Sequence, residues 1–193
     1  MTAEKRKSGL GTDPIKDGLA NPVRHGTSAD AAAVETVSDA VRNTLSAAGR
    51  AGSSAVGAVT HVALGAIRGA LGSGSDLTEA GNGIIIGILH GSGDRGEAAL
   101  RTISHAARTV IHHTAMTESD VTAATTGLVE GAIQSALDSG VDVTRAASAA
   151  AQGSLEGAEE VSFAAAEQVR AALAGSFHGV RILLPPPYQQ QER

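Results

Sequence analysis

Apolar residues return at three- and four-residue spacing from Ala31 to about Val180, broken by short clusters of Gly, Asp and Ser. This is the period of an amphipathic helix. It predicts an all-α domain over residues 29–180, between a flexible basic N-terminal tail, 1–28, and an extended Pro-rich C-terminal tail, 181–193. The breaks carry helix-capping chemistry. Ser119 or Asp120 can accept a hydrogen bond from the free amides of a helix running to about Leu137. Asp138-Ser139-Gly140 supplies a stop whose glycine can turn left-handed, and Asp142 can cap a second helix to about Glu160. Asp94-Arg95-Gly96 is the corresponding turn earlier in the chain, and Leu71-Gly72-Ser73-Gly74-Ser75 reads as a flexible link. Turns this short make consecutive helices antiparallel neighbours.

The hairpins repeat. Laying Leu77-Thr78-Glu79-Ala80 on Val121-Thr122-Ala123-Ala124 gives an offset of 44. At that offset Gly83 falls on Gly127, Gly87 on Gly131, Asp94 on Asp138, Gly96 on Gly140, Arg101 on Arg145 and Ser104 on Ser148. One period earlier, Gly52 falls on Gly96, His61 on His105 and Ile67 on Ile111; one period later, Ala171 and Gly175 fall on Gly127 and Gly131. The expected fold is therefore a tandem array of antiparallel helical hairpins, three and a half units of about 44 residues at 32–75, 76–119, 120–163 and 164–180. A period of this length suits a helical-pair solenoid, while the Pro and Asp/Arg patterns of familiar solenoid repeats are missing, so a compact bundle competes with it.

Composition changes what such helices can bury. With two Phe, one Tyr, no Trp and 24 Gly among 193 residues, the core must be built from small aliphatic side chains, and each buries little surface. Close backbone approach has to compensate. Gly83, Gly87 and Gly91 lie four apart, as do Gly127 and Gly131, and Gly175 and Gly179; that spacing lines one helix face. A glycine inside a helix costs about 1 kcal/mol relative to alanine, and the offset is a neighbouring backbone drawn nearer than usual. Two uses fit these glycines. One is packing between hairpins of the same chain; the other is a self-association stripe formed by Gly83, Gly87, Gly91, Gly127, Gly131, Gly175 and Gly179. An array that stops on a half unit leaves a helix face to complete, so a homo-oligomer is the expected partner state.

Charge and motifs narrow the function classes. A net charge of −5 and the lack of a basic stripe interleaved with aromatics argue against nucleic acid. The absence of Cys excludes disulfides, thiolate metal sites and cysteine catalysis. The polar start Met1-Thr2-Ala3-Glu4-Lys5-Arg6-Lys7 lacks the apolar stretch of a secretory signal, so a cytoplasmic location is expected. Arg68, His90, Arg101, Arg108, Glu130, Arg145, Glu156, Glu159 and Glu160 make a membrane-spanning bundle improbable, since a charge at the bilayer centre costs about 2.5–3.5 kcal/mol. Lying on a lipid or storage-granule surface is less costly, because helix charges stay wet there.

His61 and His105 share a repeat position, and His105, His112 and His113 lie on nearly one face. Two or three imidazoles can hold a transition metal, so these four are the candidate ligands if there is a metal site. The spacing matches no recognised metal motif, and no metal or cofactor is expected. Gly72-Ser73-Gly74-Ser75 and Gly91-Ser92-Gly93-Asp94-Arg95-Gly96 read as turns rather than phosphate loops, since no Gly-Lys-Ser/Thr pattern accompanies them. No nucleophile elbow occurs, the acidic residues sit singly on helix faces, no small-molecule substrate suggests itself, and no enzyme is expected. Pro185-Pro186-Pro187-Tyr188 matches the peptide bound by WW domains, and equally an ordinary tail docked along the last helix.

The stretch Thr126-Gly127-Leu128-Val129-Glu130-Gly131-Ala132-Ile133, continuing through Asp138-Ser139-Gly140 to Ala146-Ala147-Ser148-Ala149-Ala150-Ala151, resembles repeats in uncharacterised bacterial Ala/Gly-rich helical proteins. The resemblance covers mainly residues 76–180 and implies no activity and no site residues; Asp39 and Asn43, standing where later units have Gly, depart from it. The reading is of a non-enzymatic structural or interaction module that self-associates through Ala/Gly helix faces. Its alternatives are a peripheral coat of a membrane or granule surface, and a His-based metal binder.

Overall fold

Each Ala/Val/Ile/Leu-rich run is a helix in the computed structural model, which describes residues 28–50, 55–73, 76–92, 96–174, 177 and 179–184. Seven helices appear among the described residues: α1 (Ser28–Arg50), α2 (Ala55–Ser73), α3 (Leu77–Ser92), α4 (Glu97–Met116), α5 (Val121–Ser139), α6 (Val143–Glu159) and α7 (Phe163–Leu173). No strand is among them, only an isolated antiparallel bridge between Phe177 and Val180. The ends are set by local chemistry. Asp120 and Asp142 each accept a hydrogen bond at 2.9 Å, from the amides of Ala123 and Arg145, and Ser162 accepts one from Ala165 at 3.1 Å. These bonds satisfy amides that the first helical turn leaves without partners. Gly140 ends α5 at φ 71°, the left-handed cap conformation.

Helices alternate between two rows. In one, α3 packs against both α1 and α5, and α5 also touches α7; in the other, α4 packs against α2 and α6. The core fills the space between the rows with Val59, Ile67, Ile84, Ile85, Ile88, Ile103, Val110, Ile111, Leu128, Val129 and Val169, all buried. Hydroxyls inside it are satisfied by their own helices: Thr114, Thr125, Ser135 and Ser154 donate to the carbonyls of Val110, Val121, Gly131 and Ala150. A buried hydroxyl therefore carries no unmet hydrogen bond here.

Three sequence expectations are corrected. The expected link at Leu71-Gly72-Ser73 is the last turn of α2, which runs to Ser73. The helix expected through Val180 stops at Leu173; the chain then turns through Gly179 at φ 76° and buries Phe177, so one aromatic side chain in the core outweighs further helical turns. The segment after Val180, expected along the last helix, also meets α6, with the Leu183 amide donating to Ser148 Oγ at 3.0 Å and Ile182 packed on the core. The basic N-terminal residues 1–27 and Pro185-Pro186-Pro187-Tyr188 lie outside the described residues.

Candidate functional site

The glycines expected to drive self-association are mostly occupied within the chain. A Cβ placed on Gly83 would stand 2.7 Å from the carbonyl oxygen of Val34, and one on Gly87 2.6 Å from that of Ser38; Gly91 meets the backbone of Arg42. On α5, Gly127 and Gly131 lie against the carbonyls of Thr78 and Asn82 in α3. Gly153 and Gly157 of α6, outside the expected stripe although their spacing is the same, lie against Ser104 and Arg108 of α4. In all seven contacts the glycine stands 49 residues after its partner, and residue numbers rise together along both helices, so α1/α3, α3/α5 and α4/α6 are parallel pairs in one register. A hydrogen replaces the side chain, and the carbonyl approaches the Cα–H of the neighbour. Of the remaining stripe positions, Gly179 is in a turn rather than on a helix, and Gly175 lies outside the described residues.

Other glycines remain open. Gly57, Gly65, Gly69 and Gly72 of α2 would place a Cβ with nothing within 4 Å. They share the outer face of α2 with His61 and Arg68, both exposed, and Arg68 is the only Asp, Glu, Lys or Arg in the helix. Helices on a surface ordinarily show charged outer faces; α4 and α6 do so with Arg101, Arg108, Arg145 and Glu159.

The histidines divide. His105 Nε2 is 3.1 Å from Thr60 Oγ1 on α2. His112 points the other way, its Nδ1 3.3 Å from Glu160 Oε2, inside ion-pair distance though outside hydrogen-bond geometry. Glu160 also accepts a hydrogen bond from Arg108, whose pKa that bond and charge hold above its ordinary value. His113 is half-buried; burial foremost, then Arg68 on α2 and the neighbouring His112, push its pKa below 6.5. His61 is exposed. Among the described residues, no group of three or more His, Asp or Glu is placed to hold a metal ion.

A depression of about 340 Å³ lies between the end of α2 and the starts of α3 and α5, lined by Ala70, Leu71, Asp76, Leu77, Ser119, Asp120 and Ala123. Its two carboxylates are engaged as caps, Asp76 accepting from the Thr78 amide and Asp120 from Ala123. No helix of the described residues is long and apolar enough to cross a membrane. Comparison with protein-family models, curated proteins and solved structures finds no match to this chain.

Proposed function

We propose that the chain is a non-enzymatic structural or interaction module of the cytoplasm, a short solenoid of 44-residue helical hairpins that self-associates through an Ala/Gly helix face. The shared 49-residue register of seven glycine contacts supports the repeat and its stacking, because a repeated sequence presents the same carbonyl and the same glycine at each step. The observation that carries self-association is the outer face of α2. Gly65 and Gly69 stand 88 residues, two periods, before Gly153 and Gly157, which seat a helix backbone. On α2 that place is empty, and the helix there bears almost no charge. A second copy is the simplest occupant, since a two-fold pair needs only one self-complementary face. Antiparallel pairing centred on Gly65 puts His61 of one copy opposite Gly69 of the other, a large side chain over a small one.

Light scattering after size exclusion tests this. A concentration-dependent dimer is expected, weakened by Gly65→Leu, and Gly65→Cys is expected to form a disulfide-linked dimer because the chain has no other Cys. A monomer at every concentration would remove the self-association reading.

A second reading, a peripheral coat on a lipid or granule surface, is favoured by the end of the molecule where α2 and α4 finish and α7 begins. Leu71, Met116 and Phe163 are exposed there, Met116 by 63% and Phe163 by 76%. Flotation with anionic liposomes tests it; Met116→Ser together with Phe163→Ser is expected to abolish any association.

A further inference from the structure

The row formed by α2, α4 and α6 has no further helix after α6 among the described residues. Where such a helix would sit follows from the repeat. Ser104 and Arg108 of α4 offer their backbone to Gly153 and Gly157 of α6, and 44 residues later stand Ser148 and Gln152. These two therefore mark the face of α6 turned away from α4.

That face is held by an extended segment of the same chain. Phe177 is buried, and Gly179 at φ 76° turns the chain so that Val180 bridges back to Phe177. From this anchor residues 180–184 run out over α6: Val180 and Ile182 pack on the core, and the Leu183 amide donates to Ser148 Oγ at 3.0 Å. A helix docked here would bring a backbone already bonded within itself. An extended segment has no such bonds and takes a side-chain acceptor instead. The cover is thin, since Leu183 remains 57% exposed and Gln152, one turn along the same face, is exposed. A single side-chain hydrogen bond and two aliphatic side chains hold it, so its release costs far less than parting a glycine-seated helix pair.

We propose, on the footing of the repeat and the α2 pairing above, that residues 180–184 are a detachable strap that closes this end of the row and limits self-association to a closed pair. Stacked arrays need such a terminal cap to stay soluble. With the strap down, α6 offers no seat, and two copies joined through α2 share an interface that closes on itself. With it lifted, Ser148 and Gln152 are open to the α2 face of another copy, whose Gly65 and Gly69 hold the repeat positions of Gly153 and Gly157. Parallel docking is barred, because α7 stands three periods after α1 and already fills the place the incoming α1 would need. Antiparallel docking turns that α1 to the other side of α6. Gly69 then meets Ser148, Gly65 meets Gln152, and His61 comes opposite the carboxylate of Glu156. Such a contact joins two different faces and does not close, so copies add end to end.

Sedimentation velocity on the full chain over a range of concentrations tests the strap. The native chain is expected to stop at two copies. Ile182→Asp with Leu183→Pro puts a charge on the core and deletes the bonding amide while keeping the Phe177 anchor; this double variant is expected to retain its helical circular dichroism and to form species that lengthen with concentration. Adding Gly65→Leu and Gly69→Leu is expected to end that growth. A folded double variant that matches the native state, or growth that survives the two leucines, would overturn the proposal. A native chain that stays monomeric while the double variant grows would remove the α2 pairing alone and leave the strap standing. Should the double variant unfold, amide exchange decides: by NMR the Leu183 amide of the native chain is expected to exchange slowly, and about fivefold faster in Ser148→Ala. An unprotected Leu183 amide, or one that Ser148→Ala leaves unchanged, would sink the strap.

Discussion

One methyl group, placed at two positions separated by two sequence periods, should have opposite effects. At Gly65 an added Cβ meets nothing within 4 Å, so Gly65→Ala changes only helix propensity and chain entropy, a gain of about 0.5–1 kcal/mol. At Gly153 the same atom would be driven deep inside the carbonyl of Ser104. That carbonyl is backbone, so α4 and α6 must part along their length. Overpacking of this kind costs about 1–3 kcal/mol, and the depth of the overlap puts it at the upper end. Parting two helices by about 0.5–1 Å also forfeits a quarter to a half of each local dispersion contact. Less the propensity gain of about 1 kcal/mol, Gly153→Ala should destabilise by about 2 kcal/mol. In a chain of this size the two variants should differ in Tm by about 6–12 °C, with native between them. Urea unfolding followed by circular dichroism, at a concentration where the chain is monomeric, supplies both free energies and their m values. If Gly153→Ala were neutral, or both variants moved the same way, glycine-seated packing would be the wrong account of the α4–α6 pair.

Asp120→Ala and Asp142→Ala each remove a cap bond and should lower stability by about 1 kcal/mol in the same unfolding assay. Gly140→Ala, at a site with ample space but φ 71°, should cost about 1–2 kcal/mol through backbone strain alone, which thermal unfolding would register. Glu160→Gln weakens an exposed link between α4 and the end of α6; a loss below about 1 kcal/mol is expected at low salt, and none in about 1 M salt.

Much of the local structure is legible in the chain. The cap at Asp120, the stop at Gly140 and the cap at Asp142 can be read there because capping depends on residues within three or four positions of each other. The helical spacing of the apolar residues likewise leads to an all-helical chain without strands among the described residues. The structure departs from the local pattern at two places. Leu71-Gly72-Ser73 looks like a linker by composition but continues α2 with Leu71 exposed, whereas the segment after Leu173 looks helical but turns to bury Phe177, a long-range contact that local preference does not encode.

The candidate surface shows the same division. Sequence spacing places glycines along helix faces, since four residues make nearly one turn. It does not say what each face meets. Gly83, Gly87 and Gly127 are filled by neighbours inside the chain, while Gly65 and Gly69, of the same type and spacing, meet open space. The histidines are sorted in the same way: His105 and His112 lie on the same helix, α4, yet one meets Thr60 of α2 and the other the carboxylate of Glu160 beyond α6. Sequence alone determined the helices, their caps and the small-residue spacing, because these follow from interactions over a few residues. Only the tertiary structure decided which glycines seat a backbone, which stay open and which imidazole meets which charge, because those outcomes depend on helices brought together from more than 40 residues apart.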